Sequence, residues 1–396
     1  MFASLSSFQL VPLFSFLFAA LTLRAEPQDD PVAAWRTGVN IHPVAPDEQR
    51  HSIHAYYNTN PESPDGKWVL FFTSTAPDGQ RGEVRIRNRQ TGEERVLVKD
   101  LNVEDAHRAA CQQWVSNGKR VVFHGERDGN WFVGVVDVDT GQERALARDY
   151  LACWGQRYGD LVPIYGLHWN PGTHRDLQLV NVVTGEIQPI VTADATRAQY
   201  ADWFAKAYGD QPVSIFFPIL NPDATRVFFK MASNGHTNGN PRSKEASERQ
   251  GLICYSIAEK RFLFLRNNWG HPAWHPDGRT ITEAGFTLID SDTGREQRSP
   301  GLPKCRGDHP SASPDGKLLI TDTTMDVLGG KATDWGIIVA NVRGNDYVVI
   351  DQFDNSHGAR SWRVSHPHPV FSDDGKRIYF NVSSGQWTHL CVAERP

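Results

Sequence analysis

The sequence predicts an all-β chain folded as a seven-bladed β-propeller of four-stranded antiparallel blades. Three observations carry this expectation. A short pattern, apolar strand, Ser/His-Pro-Asp-Gly turn, Lys/Arg, apolar strand, recurs along the chain; a second hairpin follows several of its copies; and the composition favours strands. Of 396 residues, 33 are glycine, 24 proline, 12 tryptophan and 20 phenylalanine, against 3 methionines. Many turn formers and many aromatics suit short strands around a large core. With 39% hydrophobic and 22% charged residues the chain is globular, which excludes disordered, collagenous and coiled-coil classes.

Taken in order, the turn pattern reads SPDGKWVLFF (63–72), VSNGKRVVF (115–123), a degenerate RYGDLVPIY (157–165), NPDATRVFF (221–229), HPDGRTI (275–281), SPDGKLLI (313–320) and SDDGKRIYF (372–380). Asp-Gly or Asn-Gly between alternating apolar runs signals a hairpin, because glycine accepts the positive φ of a tight turn. The second hairpin reads IRNRQTGEERVLV (86–98), VDVDTGQERALA (136–147), VNVVTGEIQPIV (180–191) and IDSDTGREQ (289–297). Two hairpins in succession make one blade, and the spacing is near a propeller period. The last copy ends one strand short, so the segment 35–42 is expected to complete that blade. Stretches 192–211, 232–249 and 325–334 read as insertions, with a short helix at 200–208. Residues 26–396 then form one domain.

The first 25 residues differ. A nearly uncharged apolar run, 8–23, precedes Arg24-Ala25 and a polar stretch, the pattern of a secretory signal peptide, although no Lys or Arg precedes the run. A membrane anchor is the alternative, but the run is short for a span. The protein is therefore expected to be periplasmic or secreted. Cysteines 111, 153, 254, 305 and 391 form no CxxC pair and read as buried thiols. A net charge of −5 gives no general attraction to nucleic acid or an anionic membrane, so an anionic ligand needs a local basic site.

Strand direction locates that site. In each blade the innermost strand runs into the Pro-Asp-Gly turn and the next strand runs back, so first-strand starts and second-strand ends share one mouth of the channel. First-strand starts carry His107-Arg108, Trp154, His271, His309, and His366 with His368. Second-strand ends carry His124, His168, Lys230, Glu283 and Asp322. His275 falls at the opposite, turn end. In His-Pro-His, His366 and His368 share a strand face; with His271 or His309 they make a three-histidine metal site. Arg242, Lys244 and Arg249 stand in the insertion above the fourth blade.

At these residues the chain resembles the β-propeller polysaccharide lyases. The stretch SWRVSHPHPVFSDDGKRIYFNVSSGQWTHLCVAE (361–394), with GHPAW and DHPSASPDG before it, is similar to the last blades of oligogalacturonate lyases; secreted ulvan lyases are a second relative. The resemblance covers 268–394 and is diffuse before that. It implies β-elimination on an anionic, uronic-acid-containing oligo- or polysaccharide. It also implies a divalent ion, manganese in that family, with zinc or calcium as alternatives. His366 and His368 match the two histidines of the His-x-His segment, and counting blades puts His271 at the third ligand. Arg363 stands at the family's glutamine ligand, and an arginine does not ligate a metal. Blade counting puts the family's base near 214–216, where no histidine stands, whereas the Gly-His-Pro wording puts it on His271, so the base is left open.

The metal ligands expected are thus His271, His366 and His368; the proton carriers His124, His168, Lys230 and His309, with Tyr165 if it reaches the mouth; the substrate-binding residues Arg242, Arg249 and Arg363. Three other readings compete. A non-catalytic TolB-like propeller shares the turn pattern but has no use for four histidines at one mouth. A propeller peptidase needs a G-x-S-x-G elbow, which the sequence lacks. A glycoside hydrolase would use paired carboxylates such as Glu283 and Asp322.

Overall fold

The computed structural model describes residues 30–46, 49–235, 239–243, 246–298, 308–358 and 366–396; the leader, Lys244, Cys305 and Arg363 lie outside them. The described structure falls in the compact unit Pro31–Pro396, Asp30 apart. It is all-β. Five four-stranded antiparallel sheets come from segments 150–191, 213–266, 273–298, 311–354 and 370–394, the last with an N-terminal strand added. The remaining strands form an eight-stranded sheet. Its halves, 51–102 and 113–148, are themselves antiparallel meanders joined at the single pair Asn102–Glu126.

The turn residues explain why the pattern recurs. In the first copy Ser63 Oγ donates to Asp65 (2.6 Å) and accepts the Trp68 N–H (2.9 Å). Gly66 closes the loop at φ 72°, a conformation that disfavours any residue with a Cβ. Ser313, Asp315 and Leu318 repeat these bonds, as do Ser372, Asp374 and Arg377. The loops hold four residues rather than two, since Ser63 and Trp68 pair directly.

Strand Asn40–Pro43 pairs antiparallel with His389–Glu394, so the N-terminal segment supplies the outer strand of the last sheet. A further tie joins the ends of the chain. Glu62, 3% exposed, accepts from Arg377 Nε (2.7 Å) and Nη2 (2.9 Å) and from the Tyr379 hydroxyl.

The insertion 192–211 forms two short helices, Ala193–Gln199 and Ala201–Ala207, where one was expected. Thr192 caps the first through the Ala195 N–H. The insertion 325–334 opens with the 3-10 turn Met325–Leu328. Among the described residues no helix is long and apolar enough to cross a membrane. The four described cysteines are buried and free. In the core, Tyr56 and Trp154 stack at 5.8 Å and Tyr56 meets Tyr57 at 4.5 Å between ring centroids.

Candidate metal centre

His271, His309, and His366 with His368 stand on the irregular stretches that lead into the first strands of their sheets, and a polar side chain near the end of the next strand holds each stretch there. Asp322 accepts the His309 backbone N–H at 3.1 Å, and its two oxygens lie 3.0 and 2.9 Å from His309 Nδ1. Glu283 accepts the His271 N–H in the same way. In the last sheet an amide takes this place: Asn381 Nδ2 donates to the His366 carbonyl at 3.2 Å. Asp322 also reaches the neighbouring sheet, accepting the His368 N–H at 3.1 Å. The two carboxylates that a glycoside hydrolase would use are thus engaged as acceptors for histidine segments.

His107, His309, His366 and His368 offer one ligand atom each, all within 4.8 Å of one another. His368 is the most informative member. It is fully buried, and neither ring nitrogen has a hydrogen-bond partner among the described residues. Its φ of 48° is strained for a residue with a side chain. Burial and the neighbouring histidines hold its imidazole well below the usual pKa, so it is neutral. A neutral, buried imidazole held against strain among three others is the donor chemistry of a first-row divalent cation. The residues present therefore fit a metal.

Beside this group lies a small cavity lined in part by Tyr56, His107, Arg108, Lys230, Arg249 and His271. Arg108 Nη2 donates to Glu104 at 2.6 Å. Although burial opposes it, Arg108 and His168 hold the Glu104 carboxyl well below the usual carboxylate range. The Arg249 guanidinium sits 4.5 Å from the Phe216 ring centre and donates to Ser247 Oγ at 3.0 Å. Lys230 Nζ donates to the Gly270 carbonyl at 2.7 Å and lies 3.7 Å from the centre of the Trp269 ring. Burial lowers the Lys230 ammonium to about 7, with Glu283 pulling the other way.

The sequence-derived candidates are distributed as follows. His366 and His368 come together as expected, joined by His309, expected as a proton carrier, and by His107. His271, expected as a ligand, stands outside the four-histidine group; its ring centre is 4.7 Å from that of His309 and it lines the cavity. Lys230 and Arg249 also line it. His168 stands in the wall behind, with Nε2 3.0 Å from Glu104 and Nδ1 2.8 Å from Ser247 Oγ; burial pushes it down to about 4. His124 is likewise about 4 through burial, and its Nδ1 accepts the Ala152 N–H at 3.0 Å. Tyr165 is fully buried, 3.5 Å from Arg108 Nη1. Arg242 donates to the Val103 carbonyl at 3.2 Å and is not part of the lining. His275 is at the turn end, 3.1 Å from Asp277.

His107, Arg108 and Glu104 are the site residues to which the sequence reading assigned no role. The signal was present: DAHRAAC (105–111) occupies the same place in its unit as GHPAW and DHPSA. It lacks the proline that made those segments look alike.

Fold and site together define a class, an all-β protein of propeller-like sheets with a histidine-rich centre beside buried cations. Solved structures of similar fold include an oligogalacturonate lyase in complex with manganese, with a TM-score of 0.62 and 17% identity over 91% of this chain and 94% of that one. Another is an oligogalacturonate lyase from Vibrio parahaemolyticus, at 0.59 and 16% over 91% and 99%. A chain of a mitotic checkpoint complex is similar at 0.53 and 12%, over 98% and 99%. At these identities the likeness is one of fold. No family model matches the sequence, and no curated protein matches it.

Proposed function

We propose that this protein is an exported, seven-bladed β-propeller lyase that cleaves uronic-acid-containing glycans, of oligogalacturonate or ulvan type, by β-elimination. The five four-stranded sheets and the two halves of the eight-stranded sheet are the seven blades of this reading, and the apolar leader supports export. The observation that carries the function is the adjacency of the four-histidine group to the cavity bearing Arg108, Lys230 and Arg249. A carboxylated sugar needs that combination, and a protein of net charge −5 has no general reason to bury it.

The C5 proton of a uronate is too weakly acidic to remove until the adjacent carboxylate is neutralised. Arg108 and Arg249 grip that carboxylate, and guanidinium forks suit its two oxygens. A divalent ion held by His107, His309, His366 and His368, manganese or a similar metal, would add Lewis-acid neutralisation without proton exchange. His271 takes the C5 proton. The electron pair left at C5 forms the C4–C5 double bond as the C4–O4 bond breaks, and O4 leaves with a proton from Lys230. An ammonium near pH 7 is well matched to that transfer. Glu283 positions His271 through its backbone N–H, and Glu104 with His168 fixes Arg108.

The test is the ultraviolet absorbance of unsaturated uronate after incubation with pectic and ulvan oligosaccharides, manganese present. Product from either class supports the reading. No unsaturated product from any uronate glycan, metal loaded, ends it.

A further inference from the structure

The channel has a second cavity, at the end opposite the histidines. It measures about 240 Å³ and takes lining residues from each of the repeats. Adjacent tyrosines separate the two spaces: Tyr56 lines the histidine-side cavity and Tyr57 this one. Six aromatic residues, Tyr57, Trp114, Trp154, Tyr158, Trp274 and Phe371, are in its lining. Tyr158 is 61% exposed, the most exposed large hydrophobic side chain of the described residues.

The polar groups here are of a different kind from those of the histidine mouth. Trp154 Nε1 and Asn58 Oδ1 are buried, and neither has a hydrogen-bond partner among the described residues. One is a donor, the other an acceptor, and both belong to residues lining the cavity. Buried polar atoms left in this state call for a partner. The Asn58 amide is fixed by its other end, since Nδ2 donates to the Pro272 carbonyl at 3.0 Å. Among the described residues Arg157 is the only charged one of the lining, and it is matched. Its Nε and Nη2 lie 2.9 and 2.8 Å from Asp373 Oδ2, which also accepts from the Tyr158 hydroxyl at 2.7 Å. Asn60 donates to the other oxygen at 3.0 Å. The clasp joins three sheets and leaves no unmatched charge.

We propose that this cavity binds one uncharged pyranose ring, a neutral sugar residue. Its hydroxyls both donate and accept, which suits an unpartnered indole N–H and an unpartnered amide oxygen. Its C–H faces suit aromatic rings. A carboxylate would find no unmatched cation here among the described residues. Convergent polar groups within an aromatic lining are the marks of a small-molecule site, and the cavity has room for one ring. The inference is independent of the uronate reading, because it uses none of the histidine-side residues.

Calorimetric titration of the full-length protein with neutral methyl glycosides of glucose, galactose, mannose, rhamnose and xylose tests it, with Tyr158→Ala and Asn58→Ala alongside. Thermal unfolding verifies that each variant is folded, and exposed Tyr158 carries the test if Asn58→Ala is not. The expected result is saturable binding of at least one glycoside, with a Kd of about 1 mM, weakened about tenfold by either substitution. No saturable binding across the panel, or binding unchanged by the substitutions, overturns the proposal. In the latter case the sugar sits elsewhere; in the former the cavity holds water only.

Discussion

His309 Nδ1 lies 2.9 Å from Asp322 Oδ2, and both side chains are fully buried. The same carboxylate accepts the backbone N–H groups of His309 and His368 at 3.1 Å each, so one side chain sets an imidazole and two strand entries in neighbouring sheets. Burial pushes the Asp322 carboxyl up to about 7, with His366 and the two backbone N–H groups pulling the other way. In its ionised form, favoured above that pH, it only accepts, which places the His309 proton on Nδ1 and presents Nε2 as the ligand atom.

Asp322→Asn keeps the shape but loses the charge that selects this tautomer. Metal affinity is expected to fall about 10- to 100-fold while the fold persists. Competition with a chelator of known affinity, beside a thermal melt, checks this; equal affinity in the two proteins would remove Asp322 from the centre.

His107→Ala and His271→Ala separate ligand from proton acceptor. The four-histidine group includes His107 and leaves out His271. His107→Ala should therefore lower the metal content of purified protein. His271→Ala should retain metal and lose elimination by about 10²–10⁴-fold. Metal lost from His271→Ala and kept by His107→Ala would restore the ligand set expected from the sequence.

Lys230 gives a pH signature. Burial lowers it to about 7, so it is cationic below that pH and neutral above, and turnover that uses its proton should decline as pH rises through about 7. Lys230→Met should remove this limb of the profile along with about 10²–10⁴ of kcat. The same shift contributes to stability with a defined sign. Between about 7 and the ordinary lysine value the unfolded chain holds a proton that the native state does not. This contribution to stability therefore rises with pH across that window and is flat below it. A pH profile whose alkaline limb survives Lys230→Met would assign the proton to another group.

Glu62 ties the first sheet to the last, 3% exposed beneath Arg377 and Tyr379. Glu62→Ala leaves Arg377 without its nearest carboxylate and should destabilise by about 3–5 kcal/mol, as urea unfolding would report. A change within about 0.5 kcal/mol, the ordinary range of surface substitutions, would mean the closure rests on the strand pairing of 40–43 alone.

Much of this architecture is written locally. The Ser-Pro-Asp-Gly turns are self-contained: a serine hydroxyl, an aspartate two residues on and a left-handed glycine bond one another within six residues, so their sequence is enough to mark each hairpin. Alternating apolar strands follow from the same local pattern, and strand direction sends His309, His366, His368 and His107 to one end and His275 to the other. Period and direction, however, say nothing about the distance between side chains of different sheets. Whether His107 or His271 completes the four-histidine group depends on how far each irregular lead-in carries its ring inward. That is set by contacts between residues far apart in the chain, such as Asp322 holding His368 or His168 bracing Glu104. The lowered pKa of Lys230 and the unpartnered Trp154 and Asn58 atoms are likewise products of burial, which exists only once the sheets have packed against one another.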